Sequence, residues 1–141
     1  MMSSLINGFI KRLEAMDIEY DLFDMEGFEI PAVKIPAPYK NTLLNFVYLF
    51  DNSGESLNVK VYGLSKSIPE NKRVKMLDTI NYINWNYRWI KLFLDTDSEI
   101  VVSGDALITE ETAAEDCMKL LYRFGSLIDK IYPQITDAVG E

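Results

Sequence analysis

Residues 78–103 read DTINYINWNYRWIKLFLDTDSEIVVS, and the spacing of the apolar residues changes within this stretch. Around its start, apolar residues recur every three or four positions, as on one face of a helix, at Leu77, Ile80, Ile83 and Tyr87. Further on they recur at every second position, as on one face of a strand, at Ile90, Leu92 and Leu94. The stretch therefore predicts a helix followed by a β-hairpin, with the acidic segment 95–99 as the hairpin turn.

The chain before this stretch predicts one helix and then three or four strands. Ser3 and Ser4 are candidate N-caps for a helix whose apolar face holds Leu5, Phe9, Leu13 and Met16. Extended runs follow at 20–23 and at 28–32. Proline has no N–H to donate, so Pro31, Pro36 and Pro38 confine the second run to a sheet edge or an irregular path. Alternating apolar residues at 44–50 and 57–61 flank the turn sequence DNSG, which predicts an antiparallel hairpin.

Two further helices are predicted, one on each side of the second hairpin. Pro69 opens the first of them, for which we predict an inner face of Val74, Leu77 and Ile80. Thr109 is a candidate N-cap for the last helix, with Glu110 and Glu111 in a first turn where the helix dipole favours acidic side chains. Its predicted inner face spans five turns, at Ala113, Cys117, Leu120, Leu121, Phe124, Leu127, Ile128 and Ile131. Pro133 is expected to stop or kink this helix.

These elements follow the order α-β-β-β-α-β-β-α, with three or four strands before the second helix. Runs of strands separated by single helices favour an antiparallel sheet over a parallel one. We therefore predict one α+β domain over residues 1–141, in which three helices pack on a twisted antiparallel sheet.

The composition excludes several classes of function. Twenty-two acidic and fourteen basic residues give a net charge of -8, which repels nucleic acid. The chain has no histidine and one cysteine, Cys117, which disfavours metal binding and acid–base catalysis near neutral pH. The longest apolar run, at 46–50, is too short to span a bilayer, and Lys11 and Arg12 interrupt the N-terminal apolar stretch. We expect a cytoplasmic protein that is not an enzyme, holds no cofactor or metal and contacts neither nucleic acid nor membrane.

Three acidic residues at alternate positions, Asp95, Asp97 and Glu99, raise the question of a calcium loop, which binds its ion through carboxylate oxygens. Ile100 stands where such a loop needs glycine, and Ala106 stands where it needs a bidentate glutamate. We favour an ordinary hairpin turn. Cys117 falls on the apolar face of the last helix, where a thiol is expected to pack as a small hydrophobic residue.

Basic residues gather at the start of the second helix. Lys72, Arg73 and Lys75, with Lys66 nearby, are candidates for binding an anion, and the alternative is an ordinary solvated surface. Later in the same helix, Asn81 and Asn84 lie near the predicted inner side. We expect these two amides to hydrogen-bond the backbone at the helix-to-strand corner, because a buried amide without partners costs about 1–3 kcal/mol.

An aromatic corner follows at Trp85, Tyr87 and Trp89, with Arg88 available for stacking or a cation–π contact. These rings either fill the core, which we favour, or line a binding groove. The strands are also apolar on both faces, since a second set competes for burial: Phe23, Met25, Val33, Ile35, Val47, Leu49, Trp89, Phe93 and Val102. Three helices on a small domain can cover one face of a sheet and part of the second, so we predict that the uncovered remainder is a partner surface or dimer surface. The candidate partner-binding residues are Trp85, Tyr87, Arg88, Trp89, Phe93, Val47 and Leu49.

Three segments resemble a known family, the YbjN-type domain, which is described as a group of bacterial sensory transduction regulators with the fold of type III secretion chaperones. The segments are INYINWNYRWIKLFLDTDSEIVVSGDAL at 80–107, TEET at 109–112 and LIDKIYPQI at 127–135. The resemblance implies three helices against a twisted antiparallel sheet, no known enzymatic activity, and regulation or chaperoning through protein contacts. Secretion chaperones are small, acidic and usually dimeric, and they hold a partner segment in extended form. Ser98 departs from the relatives, which tend to have glycine in this turn.

Two hypotheses of function follow. The first is a non-enzymatic protein-interaction domain, homodimeric, chaperone-like or regulatory, that binds a protein partner or an extended segment on apolar sheet or helix surface. The second is a small-ligand sensor that uses the aromatic corner at 85–89 together with the basic residues near Lys72.

Overall fold

The computed structural model describes residues 4–140, so the candidate N-cap Ser3 lies outside the described residues. The elements are α1 (Ser4–Ala15), β1 (Asp21–Phe23), β2 (Ala32–Tyr39), β3 (Thr42–Phe50), β4 (Ser56–Tyr62), a short 3-10 helix (Glu70–Lys72), α2 (Arg73–Asn86), β5 (Lys91–Leu94), β6 (Ile100–Leu107) and α3 (Ala113–Val139). The predicted α+β class and order of elements are confirmed, with four strands before α2.

All six strands form one antiparallel sheet in the order β1-β2-β3-β4-β6-β5. Short β1 pairs only with β2 residues 32–34, so the outer side of β2 is free where Pro36 and Pro38 lie. The extended run predicted at 28–32 forms no strand before Ala32, where β2 begins, so the irregular path is confirmed there as the second of the two predicted alternatives. The Asn52 side chain bonds the Gly27 carbonyl and the Glu29 N–H, and these bonds hold the preceding segment in a turn.

Helix α2 buries Met76, Ile80 and Ile83, whereas Val74 and Leu77 are exposed. The predicted inner face was therefore wrong at Val74 and Leu77. This helix has apolar residues on two opposite sides, so its pattern alone does not select the buried one. Asn84 contributes to the selection, because its amide accepts a hydrogen bond from the Leu92 N–H at 2.8 Å and donates one to the Leu92 carbonyl at 3.1 Å. Those bonds tie α2 to the outer edge of β5.

Helix α3 begins at Ala113, later than predicted, because residues 109–112 form a separate turn in which the Thr112 N–H donates to Thr109 Oγ1. Glu110 and Glu111 therefore precede the helix. Nor does Pro133 end it, since α3 continues to Val139 and buries Ile135 and Ala138, which extend the inner face beyond its predicted end at Ile131. Their burial outweighs the backbone hydrogen bond that a proline inside a helix removes.

One core joins all three helices to one face of the sheet. Its strand residues alternate along each strand: Val33, Ile35, Leu44, Phe46, Tyr48, Phe50, Leu57, Val59, Val61, Leu92, Ile100 and Val102. Val33, Ile35 and Val102 thus lie in the main core, not in the competing set where the sequence placed them. The buried Tyr48 hydroxyl donates to the Cys117 carbonyl at 2.9 Å, and its ring packs on Phe9. Burial also raises the pKa of the Cys117 thiol, which packs as the small hydrophobic residue predicted.

Candidate functional site

The opposite face of the sheet carries none of the helices formed by residues 4–140, and we call it the open face. Three buried apolar residues belong to the sheet but not to the main core: Ala32, Val47 and Val101. The strand register places Lys60 and Lys34 beside Val47, and Phe93 beside Val101. The open face therefore has its own small apolar centre, which is sheltered by neighbouring side chains.

One half of the open face is apolar and partly exposed. Leu43 is 48% exposed, Phe93 40% and Tyr62 39%, while Val101, which pairs with Phe93, is 1% exposed. We call these four residues the apolar half. Partial burial, with a smaller effect of the nearby Asp95 carboxylate, raises the pKa of Tyr62. These rings are neutral near pH 7 and form a surface suited to another apolar surface.

The other half of the open face is polar, and its groups are already bonded to one another. Asn58 Nδ2 lies 3.0 Å from Ser103 Oγ and 2.9 Å from an Asp105 oxygen. Lys60 Nζ donates to the Asn58 side-chain oxygen. These polar groups already have hydrogen-bond partners within the chain. Burial by another molecule would therefore be most favourable in free energy at the apolar half of this face.

The predicted partner-binding residues fall into separate places. Phe93, Val47 and Leu49 lie on the open face by strand register. Trp85 lies on α2 and is 85% exposed. The exposed apolar residues of α2 share its outer side with two polar ones, and we call the set the outer stripe: Val74, Leu77, Asp78, Asn81, Tyr82 and Trp85. A hollow of about 300 Å³ lies on this stripe beside Tyr82 and Trp85.

Tyr87, Arg88 and Trp89 belong to the corner between α2 and β5. Tyr87 is half-buried, and its hydroxyl accepts a hydrogen bond from Gln134 Nε2 at 3.3 Å. Trp89 is 58% exposed with a φ of 78°, and the cation over its ring is Arg123, at 5.5 Å. Our preference for core filling was therefore wrong for Trp85 and Trp89, and Arg88 does not make the predicted cation–π contact. Trp89 and Arg123 instead line a groove of about 400 Å³ beside Leu107.

The basic residues near the start of α2 do not converge. Lys75 Nζ lies 3.4 Å from the Asp137 carbonyl, and Lys72 lies beside Gly140, so both reach the C-terminal end of α3. Helix carbonyls and the helix dipole favour cations there. Arg73 instead bonds Ser98 Oγ at 3.3 Å, in the turn between β5 and β6. Lys75 and Arg73 therefore bond groups of their own chain in two separate places.

The acidic segment 95–99 forms the predicted hairpin turn. Asp95 Oδ1 accepts hydrogen bonds from the Asp97 and Glu99 N–H groups, both at 2.9 Å. Ser98 adopts a φ of 59°, in the left-handed region that favours glycine. The carboxylates of Asp95, Asp97 and Glu99 lie within 4.8 Å of one another, and one of the Asp95 oxygens is already used to close the turn.

One sizeable cleft was not among the sequence candidates. It has a volume of about 560 Å³ and lies between the loop at 63–69 and the end of α3, with Lys66 and Glu99 as its charged residues. Its wall also includes Thr42, Thr136, Ile135 and Val139. Segments distant in the sequence form it, so no local pattern could have indicated it.

A comparison with protein families gives one match, to the model of YbjN, described as "Putative bacterial sensory transduction regulator", over residues 11–137. The match covers nearly the whole chain. Searches of curated proteins and of solved structures gave no match. None of the helices in residues 4–140 combines the length and apolar character needed to cross a bilayer.

Proposed function

The chain belongs to the YbjN family, and on that premise we propose that it is a non-enzymatic regulatory domain that binds a protein partner on the apolar half of its open face. The family description supports the coarser statement that this is a regulatory or interaction domain. The choice of surface rests on the geometry of the sheet.

The main support is the position of all three helices on one face. Leu43, Tyr62 and Phe93 remain between 39% and 48% exposed on the other face, and Val101 beside Phe93 is nearly inaccessible. Aromatic side chains next to buried apolar residues are among those that contribute most binding free energy at the centres of protein interfaces. A partner segment lying across β4, β6 and β5 would cover these rings while the polar half forms the rim.

The proposal includes a cytoplasmic location and no catalytic step. The histidine-free composition and the high pKa of the buried Cys117 thiol support the absence of a nucleophile or a general base of the common kinds. A chaperone role, in which the partner segment is held in extended form, is one version of the same proposal, and the open face is wide enough for it because the sheet has six strands.

Site-specific photo-crosslinking in the source cells tests the proposal. A photoreactive phenylalanine analogue replaces Phe93 in one variant and Tyr122, which is 57% exposed on α3, in the control. We expect the variant at position 93 to form a crosslinked adduct with one identifiable protein. The variant at position 122 should not form that adduct. The double variant Tyr62→Lys and Phe93→Lys, folded as judged by circular dichroism, should lose binding of that protein after purification. Equal adducts at both positions, or unchanged binding by the double variant, would contradict the proposal.

A second candidate function, a small-ligand sensor, is favoured by the cleft at 63–69 and not by the aromatic corner. A volume of about 560 Å³ is within the range of small-molecule sites, and Lys66 and Glu99 offer opposite charges for a zwitterionic ligand. A thermal-shift screen with amino acids and related metabolites tests this alternative. We expect a rise in melting temperature that Lys66→Ala abolishes, and a screen without any rise would exclude that ligand class.

A further inference from the structure

We propose that the cleft at 63–69 binds a free amino acid with an apolar side chain, and that this ligand strengthens binding of the protein partner on the apolar half. The coupling rests on the proposed function, because it takes the apolar half as the partner surface. It unites the two candidate functions, since a small ligand in the cleft then controls a protein contact on the open face. The reason is that both sites are built on the ends of the same strands.

Strands β4 and β6 separate beside the cleft. Their pairing ends at Val61 and Val102, whereas β5 and β6 remain paired as far as Leu94 and Ile100. Beyond Tyr62, β4 gives way to the loop at 63–69. At this end of the sheet, β4 and β6 are therefore joined through the loop and not by strand pairing.

Hydrogen bonds join the loop to the turn between β5 and β6. The Ile68 N–H donates to the Ser98 carbonyl at 2.7 Å, and the Ser67 hydroxyl donates to the Asp97 carbonyl at 2.8 Å. A few hydrogen bonds between two irregular segments open at a lower free energy than a strand ladder does. The distance between the ends of β4 and β6 is therefore adjustable here.

The apolar half lies across the same separation, on the opposite face of the sheet. Leu43 and Tyr62 belong to β3 and β4, whereas Phe93 and Val101 belong to β5 and β6. A change in the distance between the ends of β4 and β6 therefore moves one pair relative to the other. A partner that covers all four residues binds one such arrangement better than the others.

Adjacent residues connect the wall of the cleft to the apolar half. Thr42 and Gly63 line the cleft, and their neighbours in the chain are Leu43 and Tyr62. The backbones are tightly packed at this point, since a Cβ added to Gly63 would clash with the Leu43 carbonyl oxygen. A displacement of the loop therefore moves Leu43 and Tyr62 with it.

The polar groups of the cleft that lack partners define the charges of the ligand. The Thr42 and Thr136 hydroxyls already donate to carbonyls of their own chain, at 2.7 Å and 3.0 Å. Among residues 4–140, neither Lys66 nor Glu99 has an ion pair or a side-chain hydrogen bond. Lys66 lies on the loop and Glu99 at the end of the β5–β6 turn. A ligand carboxylate on Lys66 and a ligand ammonium on Glu99 therefore connect these two segments.

The rest of the wall selects an apolar side chain. Leu64, Ile68, Tyr132, Ile135 and Val139 all line the cleft. In small-molecule sites, apolar lining residues bury most of the ligand and a few polar groups fix its orientation. A volume of about 560 Å³ accepts the side chains of leucine, phenylalanine and tryptophan. An amino acid of this kind satisfies both the charges and the apolar wall.

The coupling between the two sites is positive. The ligand fixes the distance between the loop and the β5–β6 turn, and the partner fixes the same distance from the other face. Whichever binds first removes conformational freedom that the second would otherwise have to remove. By thermodynamic linkage each raises the affinity of the other by the same factor, which we expect to be roughly fivefold or more.

Isothermal titration calorimetry of the full chain with L-leucine, L-phenylalanine and L-tryptophan tests the ligand site. We expect at least one of the three to bind. Lys66→Ala and Glu99→Gln should each weaken its binding by roughly tenfold or more, the effect of losing one charge-assisted hydrogen bond. Lys11→Ala is the matched control, because Lys11 is an exposed lysine on α1.

Ligand analogues test the two charges from the other side. The amine and the carboxylic acid that correspond to the bound amino acid each lack one charged group, and each should bind roughly tenfold more weakly. Circular dichroism checks that every protein variant is folded. If none of the three amino acids bound, or if Lys66→Ala and Lys11→Ala had equal affinities, the proposal would be overturned.

Methyl NMR spectra test the coupling in the absence of the partner. Leu43 and Val101 carry methyl groups on the open face, and Val74 on α2 is the control, because it is 75% exposed and lies outside the sheet. The amino acid should shift the Leu43 and Val101 resonances with the half-saturation concentration found by calorimetry, and Lys66→Ala should abolish these shifts. Binding of the amino acid without any shift at Leu43 and Val101 would overturn the coupling.

The affinity for the protein captured at position 93 gives the size of the coupling. A saturating concentration of the amino acid should lower the Kd of wild type for that protein by roughly fivefold or more, and should not change the Kd of Lys66→Ala. An unchanged Kd of wild type would overturn the proposal. Failure of the proposed function is seen separately, because partner binding that survives Tyr62→Lys and Phe93→Lys leaves the calorimetry and the methyl shifts unaffected.

Discussion

The two faces of the sheet carry apolar residues of the same types, yet only one face is covered. Phe50 on β3 is 0% exposed beneath the helices, and Phe93 on β5 is 40% exposed on the open face. Aromatic and aliphatic residues alone therefore do not distinguish a core from a binding surface. The difference is the presence of α1 and α3, which supply the second layer that a sheet face needs for burial.

The open face keeps its apolar centre small and surrounds it with polar groups. Lys34 and Lys60 lie beside Val47, and the bonded network of Asn58, Ser103 and Asp105 occupies the adjacent rows. Long lysine side chains cover apolar surface while their charged ends remain in water. This explains how Val47 is buried without a helix above it, whereas Val101 has the Phe93 ring beside it.

The largest expected effect comes from truncating the same residue type on each face. Phe50→Ala should lower the free energy of unfolding by about 3–5 kcal/mol, because it leaves a cavity in the core. Phe93→Ala should lower it by about 1 kcal/mol or less, because water already reaches that ring. Urea unfolding of both variants measures the two values. Equal losses would show that the open face is a core, covered in solution by another element or a second copy.

The next largest effect on stability is expected at β5, the edge strand of the sheet. Asn84→Ala removes the side chain that bonds the Leu92 N–H and carbonyl, and we expect a loss of about 2 kcal/mol. Asn81→Ala is the matched control on the exposed side of the same helix and should change stability by less than about 0.5 kcal/mol. The prediction that both amides bind the backbone is confirmed for Asn84 alone. Similar losses for the two variants would contradict the assigned role of Asn84.

A smaller, pH-dependent effect is expected at the rim of the covered face. The Tyr39 hydroxyl donates to an Asp129 oxygen at 2.6 Å, and burial, followed by this bond, raises the pKa of Tyr39 from 10.0 to about 12. A raised pKa in the folded state stabilises the fold fully below pH 10, and that contribution is lost as the pH rises through about 12.

We therefore expect Tyr39→Phe to cost about 1 kcal/mol at pH 8, with the difference from wild type shrinking between pH 10 and about 12. Urea unfolding of both proteins over this pH range gives the difference directly. If the difference in unfolding free energy between the two proteins stayed constant over this pH range, the stability would not be linked to the ionisation of Tyr39.

The smallest effect is expected in the β5–β6 turn, beyond both faces. Ser98 has a φ of 59°, so Ser98→Gly should raise the free energy of unfolding by about 0.5–1 kcal/mol despite the loss of the weak Arg73 contact. Thermal and urea unfolding measure this gain. A loss of stability would show that the Arg73 bond contributes more than the backbone strain costs.

The sequence by itself determined the class of fold and the order of its elements. Helical spacing up to Tyr87 and two-residue spacing from Ile90 are local patterns, and they correctly predicted α2, β5 and β6. Turn residues at 51–54 and 95–99 correctly predicted two hairpins. Such patterns act over a few residues, so one chain reveals them without its tertiary structure.

Only the tertiary structure decided which apolar surfaces are covered. Val74 and Leu77 have helical spacing as good as that of Met76 and Ile80, and the packing of α2 against α3 and β5 selects between the two sides. Likewise, Val102 lies in the core and Val101 on the open face. Neighbouring residues of a strand point to opposite faces, and the pairing register of β6 with β4 and β5 decides which residue points to which face. Burial depends on residues distant in the sequence, and a local pattern contains no information about them.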